Sequence, residues 1–333
     1  MRIYCTSKVY QRNMTKNLQW QPNTSFFYLQ ARAALYQQIR AFFLARDVLE
    51  VETPALSKAA VPDCSITPFA TQGQHPELGK LYLHTSPELP MKRLLAAGSG
   101  AIYQLCKVFR DDEIGRFHNP EFTLLEWYRP DFDDMDLIAE VDQLLQEVLN
   151  TSPAEIYTYT DIFQKFTPLD PLFSPLETLQ DYAQQLGLQD SQIFDRDGCL
   201  QFIMAIKIEP QLGHTAPCVI RQFPASQAAL ARKCIDDPRY AARFEFYVKG
   251  IELANGFYEL TDAVEQRQRF EADCVQRDKE HLPALPIDEH FLAALEAGLP
   301  DCAGVALGVD RLLMLQQEVK HIQEVIAFPT DKA

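Results

Sequence analysis

The chain has 333 residues, of which 47% are hydrophobic and 23% are charged, a composition typical of globular proteins. It has no apolar run of about 18 residues and no apolar stretch near its amino terminus, which argues against a membrane span and a signal peptide and favours the cytoplasm. Its 46 acidic and 31 basic residues give a formal charge of −15, which disfavours a nucleic-acid partner and favours a basic protein partner or a small cationic substrate.

The first 25 residues are polar and show no sustained periodicity, so we predict a tail there, with Met14 as a second plausible start. From residue 26 the pattern changes. Apolar residues recur at helical spacing and predict an amphipathic helix to about residue 46, through Leu35, Ile39, Phe42 and Phe43. Residues 48–54 then alternate like a strand that is stopped by a proline.

Strand patterns recur in four further segments, which are residues 101–110, 121–129, 243–260 and 303–309. Apolar periodicity predicts two more helices, at 137–149 and from Arg311. Residues 151–240 mix helical patterns with prolines and indicate no particular chemistry. Because strands and helices do not alternate regularly, we predict one α+β domain over residues 26–333, with an antiparallel sheet of six or seven strands flanked by helices. The eight cysteines are scattered without a Cys-x-x-Cys pair and are expected to be free thiols.

Three short segments stand out for their chemistry. The first is the strand ending in residues 51–54, which is weak evidence alone because many amphipathic helices precede a strand. The second places Arg110 before a loop rich in Arg, His and Asn at residues 116–119. Arginine offers a planar fork of donors that suits a phosphate, so this loop favours nucleotide binding over a surface hairpin. The third is Gly304–Arg311, whose small residues let a ligand approach the strand, although such a segment alone more often reflects helix–strand packing.

In this order the three segments resemble the three motifs of class II aminoacyl-tRNA synthetases. Two further segments, Thr85–Glu88 with Met91–Leu94 and Gly250–Leu260, resemble the lysyl-tRNA synthetase subgroup. The resemblance runs from about residue 26 to the end of the chain. It implies the class II catalytic fold, the use of ATP with Mg²⁺, and a homodimer formed through the segment around residues 28–54.

The resemblance implies a nucleotide site. Arg110 would hold the α-phosphate and the substrate carboxylate, Arg311 would hold the γ-phosphate, and these two would be the catalytic residues. Phe122 would stack on adenine. Asp112 stands where the family has a glutamate that contacts the adenine amine. The whole ATP site would comprise Arg110, Asp111, Asp112, His118, Asn119, Phe122, Glu252, Leu253, Gly308 and Arg311.

The spacing of two glutamates adds a candidate metal site. A hairpin that turns at Lys249–Gly250 would pair Tyr247 with Glu252 and bring Glu245 diagonally next to Glu252 on one face. Two such carboxylates repel each other unless a cation lies between them, and Mg²⁺ bridging to ATP phosphates is the natural candidate. The alternative is a solvated pair of acids.

The resemblance also implies an amino-acid pocket, built around Glu88, Tyr128 and Glu259. Acidic groups suit a substrate that carries two ammonium groups. The whole pocket would comprise Ser86, Pro87, Glu88, Tyr128, Glu259 and Ala306.

The acceptor of the activated substrate is the last expectation. The synthetases carry an additional oligonucleotide-binding barrel before the catalytic domain, and only a short tail stands here. This architecture is similar to the bacterial ligases that attach (R)-β-lysine to elongation factor P, and those ligases have Ala at position 306, where the synthetases ordinarily have Gly. We therefore expect (R)-β-lysine as substrate, a lysine of elongation factor P as acceptor, and no tRNA partner.

Two other functions compete with this one. The first is a truncated lysyl-tRNA synthetase-like enzyme that activates α-lysine. The second is a non-catalytic, synthetase-like regulatory subunit. Such relatives usually lose their motif arginines or metal carboxylates, and this chain retains Arg110, Arg311, Glu245 and Glu252.

Overall fold

The computed structural model describes residues 20–111 and 114–333, so residues 1–19 of the predicted tail and the predicted adenine contact of Asp112 lie outside the described residues.

The α-helices are α1 (Phe26–Leu44), α2 (Glu88–Ala96), α3 (Asp134–Leu149), α4 (Tyr159–Phe166), α5 (Leu176–Gln185), α6 (Arg196–Ile203), α7 (Ala263–Lys279), α8 (Glu289–Gly298) and α9 (Val309–Gln316). The strands are β1 (Leu49–Glu50), β2 (Leu56–Ser57), β3 (Ala70–Gln72), β4 (Lys80–Leu83), β5 (Ile102–Phe109), β6 (Glu121–Pro130), β7 (Glu155–Thr158), β8 (Cys218–Pro224), β9 (Tyr240–Val248), β10 (Ile251–Tyr258) and β11 (Cys302–Gly308).

The described residues form a central eight-stranded sheet in the order β1-β5-β6-β11-β10-β9-β8-β7 and a small sheet of β2, β4 and β3. Neighbours from β5 to β8 are antiparallel, whereas the edge strands β1 and β7 run parallel to β5 and β8. The mostly antiparallel sheet flanked by helices confirms the predicted fold class. The predicted count of six or seven strands is wrong, because β7 and β8 come from residues 151–240, whose mixed pattern indicated no strand.

Helix α1 confirms the first predicted helix. It begins after Ser25, whose side chain accepts the N–H of Tyr28, and it buries the four predicted apolar residues, which are Leu35, Ile39, Phe42 and Phe43. The strand predicted after it is much shorter than residues 48–54. Only β1 is formed, and the last backbone bond to the neighbouring strand is from Val51 N–H to the carbonyl of Tyr103, at 2.9 Å.

The two faces of the sheet have different roles because successive side chains of a strand point to opposite sides. On one face, Leu125 and Trp127 of β6 are fully buried in the main hydrophobic core, which also takes apolar residues from α1, α3 and α9. On the other face, Leu124, Glu126 and Tyr128 of the same strand line a cavity. The alternation therefore separates a core that stabilises the fold from a polar wall that can bind ligands.

The described end of the predicted tail is tied to the carboxy-terminal segment. The Asn23 backbone N–H donates to the carbonyl of Ala327 at 2.7 Å, and its side-chain amide donates to the carbonyl of Gln323 at 2.6 Å. Thr24 is buried and donates its hydroxyl to the carbonyl of Glu324. These residues therefore form part of the folded domain.

Residues 151–240 build a second hydrophobic cluster around α4, α5, α6 and β8, with Tyr159, Phe163 and Leu200 at full or nearly full burial.

The seven cysteines within the described residues are free thiols, and Cys5 lies outside them. None of the described helices combines the length and the apolar character that crossing a membrane requires.

Candidate active site

The face of the sheet opposite the main core holds a cavity of about 1130 Å³. Its walls come from β6, β9, β10 and β11, from the loops before α2 and β6, and from residues 193–201 of the second cluster. It brings together most of the predicted site residues, namely Ser86, Glu88, Arg110, His118, Asn119, Phe122, Tyr128, Glu245, Glu252, Leu253, Glu259, Ala306, Gly308 and Arg311.

Among the predicted site residues that the structure describes, two do not line this cavity. Pro87 is buried at the start of α2, where it precedes Glu88. Asp111 is exposed, and its backbone N–H donates to the carbonyl of Thr67 at 2.9 Å.

One end of the cavity is strongly acidic. Glu126 lies in the middle of β6, only 2% exposed, and accepts hydrogen bonds from the hydroxyls of Ser86 at 2.8 Å and Tyr128 at 2.6 Å. Glu88 and Glu259 face the same space. Sequence reasoning missed Glu126, although an acidic residue within the large apolar and aromatic side chains of residues 124–128 was a usable signal.

A buried lysine joins two of these carboxylates. Lys92, one helical turn after Glu88 in α2, has 0% of its surface exposed. Its Nζ lies 2.6 Å from Glu88 Oε1 and 2.6 Å from Glu259 Oε2. Burial alone would lower the pKa of Lys92, but the charges of Glu259 and Glu88 outweigh it and raise that pKa, so the lysine is charged.

Burial also raises the pKa of two carboxyl groups in this pocket. It raises the pKa of Glu126 to about 7, with a further contribution from the charge of Glu88. It raises the pKa of Glu259 to about 8, against the opposing effect of Lys92. Both carboxylates therefore bind protons more readily in this pocket than they would in water.

Gly304 makes room for the acidic groups. It lies in β11 opposite Tyr128 of β6, and a Cβ at this position would come within 2.2 Å of the Tyr128 ring and 2.4 Å of Glu259 Oε1. Ala306 follows on the same face, paired with Glu126 on one side and Asn255 on the other. The side chain at position 306 is thus placed to limit the shape of the ligand.

The other end of the cavity is basic and suits a nucleotide. Arg311 donates to the carbonyls of Glu252 at 2.7 Å and Phe117 at 3.3 Å, and one of its terminal nitrogens lies 2.7 Å from His118 Nε2. The Arg110 guanidinium lies 5.1 Å from the centre of the Phe122 ring. The two arginines and the aromatic ring are therefore brought together from the end of β5, the start of β6 and helix α9.

Asn119 faces this end but is engaged elsewhere in the fold. Its amide nitrogen donates to the carbonyl of Glu121 at 2.7 Å and to the hydroxyl of Thr330 at 3.2 Å, and its amide oxygen accepts the backbone N–H of Thr330 at 3.3 Å. It holds the carboxy-terminal segment against the loop.

The predicted hairpin is confirmed. It turns at Lys249 and Gly250, which have positive φ angles of 52° and 74° as a type I′ turn requires, and Tyr247 pairs with Glu252. A register shift after Glu252 places Glu245 opposite Asn255. Glu245 and Glu252 nevertheless line the same cavity.

Glu245 and Glu252 are the two carboxylates that could hold a divalent cation together with substrate phosphates. Burial, opposed by Arg243 and supported by the charge of Glu252, raises the pKa of Glu245, whose carboxylate accepts from Arg243 and Tyr247 at 2.5 Å each. Glu252 is more exposed, with one oxygen 3.6 Å from Arg311. Within residues 20–111 and 114–333 no group of three or more His, Cys, Asp or Glu could hold a metal alone. A pair is sufficient for Mg²⁺, which usually combines one or two carboxylates with substrate phosphates.

Comparison with known proteins identifies the class of this fold and site. Residues 10–332 match the family of class II tRNA synthetases for D, K and N. The chain belongs to this family, which implies the use of ATP.

Among members of this family, the chain is similar over nearly its whole length to several proteins that share one name. The chain is 52% identical to the elongation factor P–(R)-beta-lysine ligase of Avibacterium paragallinarum, over 95% of this chain and 99% of that protein. It is 53% identical to the protein of the same name from Histophilus somni strain 2336, over 96% of this chain and all of that protein. The protein of this name from Erwinia tasmaniensis is 52% identical over the same shares.

The acidic pocket generates a prediction about pH. Because the pKa of Glu126 is raised in the folded protein, its contribution to stability is present at low pH and is lost as the pH rises through about 7. The melting temperature of Glu126→Gln relative to that of the original protein should therefore increase from pH about 5 to about 8 and stay constant above it. Thermal unfolding of the ligand-free protein across this range measures the difference.

Glu296→Gln, at an exposed position of α8, is the matched control for the loss of one carboxylate. A pH-independent effect of Glu126→Gln would contradict the assignment of a raised pKa to Glu126.

Proposed function

We propose that this protein activates (R)-β-lysine with ATP and transfers it to a lysine side chain of elongation factor P in the cytoplasm. The observation that carries the proposal is the division of one cavity into a basic end and an acidic end. The basic end offers arginines and an aromatic ring to a nucleotide, and the acidic end offers carboxylates to a diammonium substrate. The names of the similar ligases agree with this chemistry.

The proposed reaction has two steps. The substrate carboxylate attacks the α-phosphorus of ATP, forming a mixed anhydride with AMP and releasing pyrophosphate. The amine of the acceptor lysine then attacks the carbonyl carbon of that anhydride, forming an amide and releasing AMP. Neither step needs a covalent enzyme intermediate, so catalysis rests on positioning and on stabilising charge.

The residues at the boundary between the two ends take the central roles. Arg110 binds the α-phosphate and the substrate carboxylate, and Arg311, held by the Glu252 carbonyl and next to His118, binds the γ-phosphate. Phe122 stacks on adenine. Glu245 and Glu252 hold Mg²⁺, which when bound neutralises charge on the ATP phosphates.

The acidic end supplies recognition. Glu88, Glu126 and Glu259 accept the ammonium groups, while Tyr128 and Ser86 orient Glu126 through the hydrogen bonds described above. The net charge of −15 disfavours wrapping a polyanion such as tRNA and favours a basic protein surface.

The proposed acceptor is tested directly by intact-mass analysis. After incubation with ATP, Mg²⁺ and (R)-β-lysine, elongation factor P should gain the mass of one lysyl residue, and tRNA should stay uncharged. Arg311→Ala serves as the inactive control. Robust charging of tRNA beside an unmodified factor would overturn the proposal.

The role of Arg110 predicts a large kinetic effect. Arg110→Ala should lower the rate of ATP–pyrophosphate exchange by about a hundredfold or more, because it removes charge stabilisation in the transition state. Arg267→Ala is the matched control, since Arg267 lies on α7 and pairs with the exposed Glu289. Its exchange rate should not change. An Arg110→Ala variant as active as this control would refute the role of Arg110.

The position of Ala306 predicts substrate preference. Its methyl group, between Glu126 and Asn255 in the sheet, should favour (R)-β-lysine over α-lysine. Ala306→Gly should shift the ratio of kcat/KM for the two isomers toward α-lysine by about 10- to 200-fold, as expected for a methyl-sized change in a pocket. The ratio cancels any general loss of activity, so an unchanged ratio would mean that Ala306 does not select the isomer.

We also propose a homodimer formed through α1 and β1. Large apolar side chains in this region are exposed in the single chain, with Phe26 at 74%, Phe27 at 63%, Leu44 at 78% and Leu49 at 57%. Such a surface favours association with a second copy across a two-fold axis. Sedimentation at micromolar concentration should give a dimer, and a double change of Phe26→Ser and Phe27→Ser should weaken it. A monomeric original protein would argue against the dimer.

A further inference from the structure

The buried lysine of the amino-acid pocket has no role in the reaction proposed above. Lys92 is among the largest fully buried side chains described, and its ammonium lies 5.9 Å from the centre of the Phe291 ring in α8. Burying an ammonium group costs several kcal/mol unless partners compensate it. Here the compensation comes from Glu88 on its own helix and from Glu259 at the end of β10.

Charged and titratable groups from four elements surround Lys92. Helix α2 contributes Glu88, strand β6 contributes Glu126 and Tyr128, the end of β10 contributes Glu259, and β11 contributes Cys302. Helix α8 contributes the Phe291 ring. Arg232 touches only the backbone carbonyl of Glu259, at 2.9 Å, and pairs with Asp301.

Three carboxylates and one ammonium give this pocket two net negative charges when every group is ionised. Those two negative charges balance the two positive charges of a ligand that carries two ammonium groups. Without Lys92 the three adjacent carboxylates would repel one another more strongly, and at least one would bind a proton instead of a substrate amine.

We propose that Lys92 is a positioning residue that sets the net charge of the amino-acid pocket at two negative charges and thereby selects a diammonium substrate. This inference rests on the proposed function. Lys92 contacts one oxygen of Glu88 and one of Glu259, so the other oxygen of each can accept a substrate ammonium. The second oxygen of Glu259 lies over Gly304, on the cavity side of β11.

The arrangement couples substrate binding to proton release. Burial raises the pKa of Glu126 and of Glu259, so both carboxylates bind protons more readily in the ligand-free pocket than they would in water. Two incoming ammonium groups favour the ionised carboxylates and displace these protons. Calorimetric titration with (R)-β-lysine in buffers of different ionisation enthalpy should therefore detect net proton release at about pH 7. More protons should be released per substrate bound by Lys92→Met than by the original protein, and equal release by the two proteins would contradict the charge-setting role.

The variant Lys92→Met tests the role of the charge. Its KM for (R)-β-lysine in ATP–pyrophosphate exchange should rise by about tenfold or more near pH 7, because each unit of raised carboxylate pKa lowers the ionised fraction by about tenfold. The increase should shrink as the pH approaches about 9, and kcat should change less than KM. A role in packing alone would lower stability and activity without moving the pH dependence of KM.

A charge-restoring double variant is the matched control. Lys92→Met combined with Glu88→Gln removes one charge of each sign and returns the pocket to two negative charges. Its pH profile of KM should move back toward that of the original protein, although KM itself stays raised by the loss of Glu88. A double variant with the profile of Lys92→Met, or a Lys92→Met variant with the original profile, would refute the charge-setting role.

Pyrophosphate exchange by the original protein and by Lys92→Met distinguishes a failure of the proposed function from a failure of the role of Lys92. If the original protein exchanges pyrophosphate with no lysine isomer, the proposed function fails. If it exchanges with (R)-β-lysine while Lys92→Met keeps the original KM and pH profile, only the role of Lys92 fails.

Discussion

The ion pairs of Lys92 with Glu88 and Glu259 constrain the whole amino-acid end of the cavity. They join the first turn of α2 to the end of β10, two elements that are far apart in the chain. Because Lys92 and Glu259 are fully buried and would be costly to bury unpaired, their ion pair favours the packing of α2 against the end of β10. Glu126 adds a third carboxylate to the pocket, close enough to Glu88 and Glu259 for the negative charges to repel one another.

The two faces of the central sheet have different roles, since one packs against the hydrophobic core and the other lines the cavity. Apolar side chains on one face of β6, β9 and β11 pack against α1, α3 and α9, so the strands are held rigidly from behind. The opposite face can therefore carry charged and small residues without loss of the core. Glycine at position 304 is essential to this arrangement, since any side chain there would occupy the space of Tyr128 and Glu259.

The nucleotide end is organised by contacts between distant segments. Arg311 is oriented by the carbonyls of Glu252 and Phe117, and Arg32 of α1 pairs with the buried Asp310 next to it at 2.5 Å. Asp310 also accepts the backbone N–H of Thr123 in β6 at 2.6 Å. The start of α9 is thus fixed to α1 and β6, which places Arg311 at the cavity before any ligand binds.

The sequence by itself determined only part of the fold, including α1, α3, α9 and the strands β5, β6, β9, β10 and β11. The apolar period of α1, the two central strands and the hairpin at Lys249–Gly250 all follow from local spacing, because a period of 3.6 or 2 fixes which side chains share a face. Local spacing does not determine which faces meet. Only the tertiary structure placed Lys92 between Glu88 and Glu259, added Glu126 to the pocket, engaged Asn119 with Thr330, and brought β7 and β8 from residues 151–240 to the sheet. These features depend on long-range packing and on compensating buried charge, which no single segment of the chain encodes.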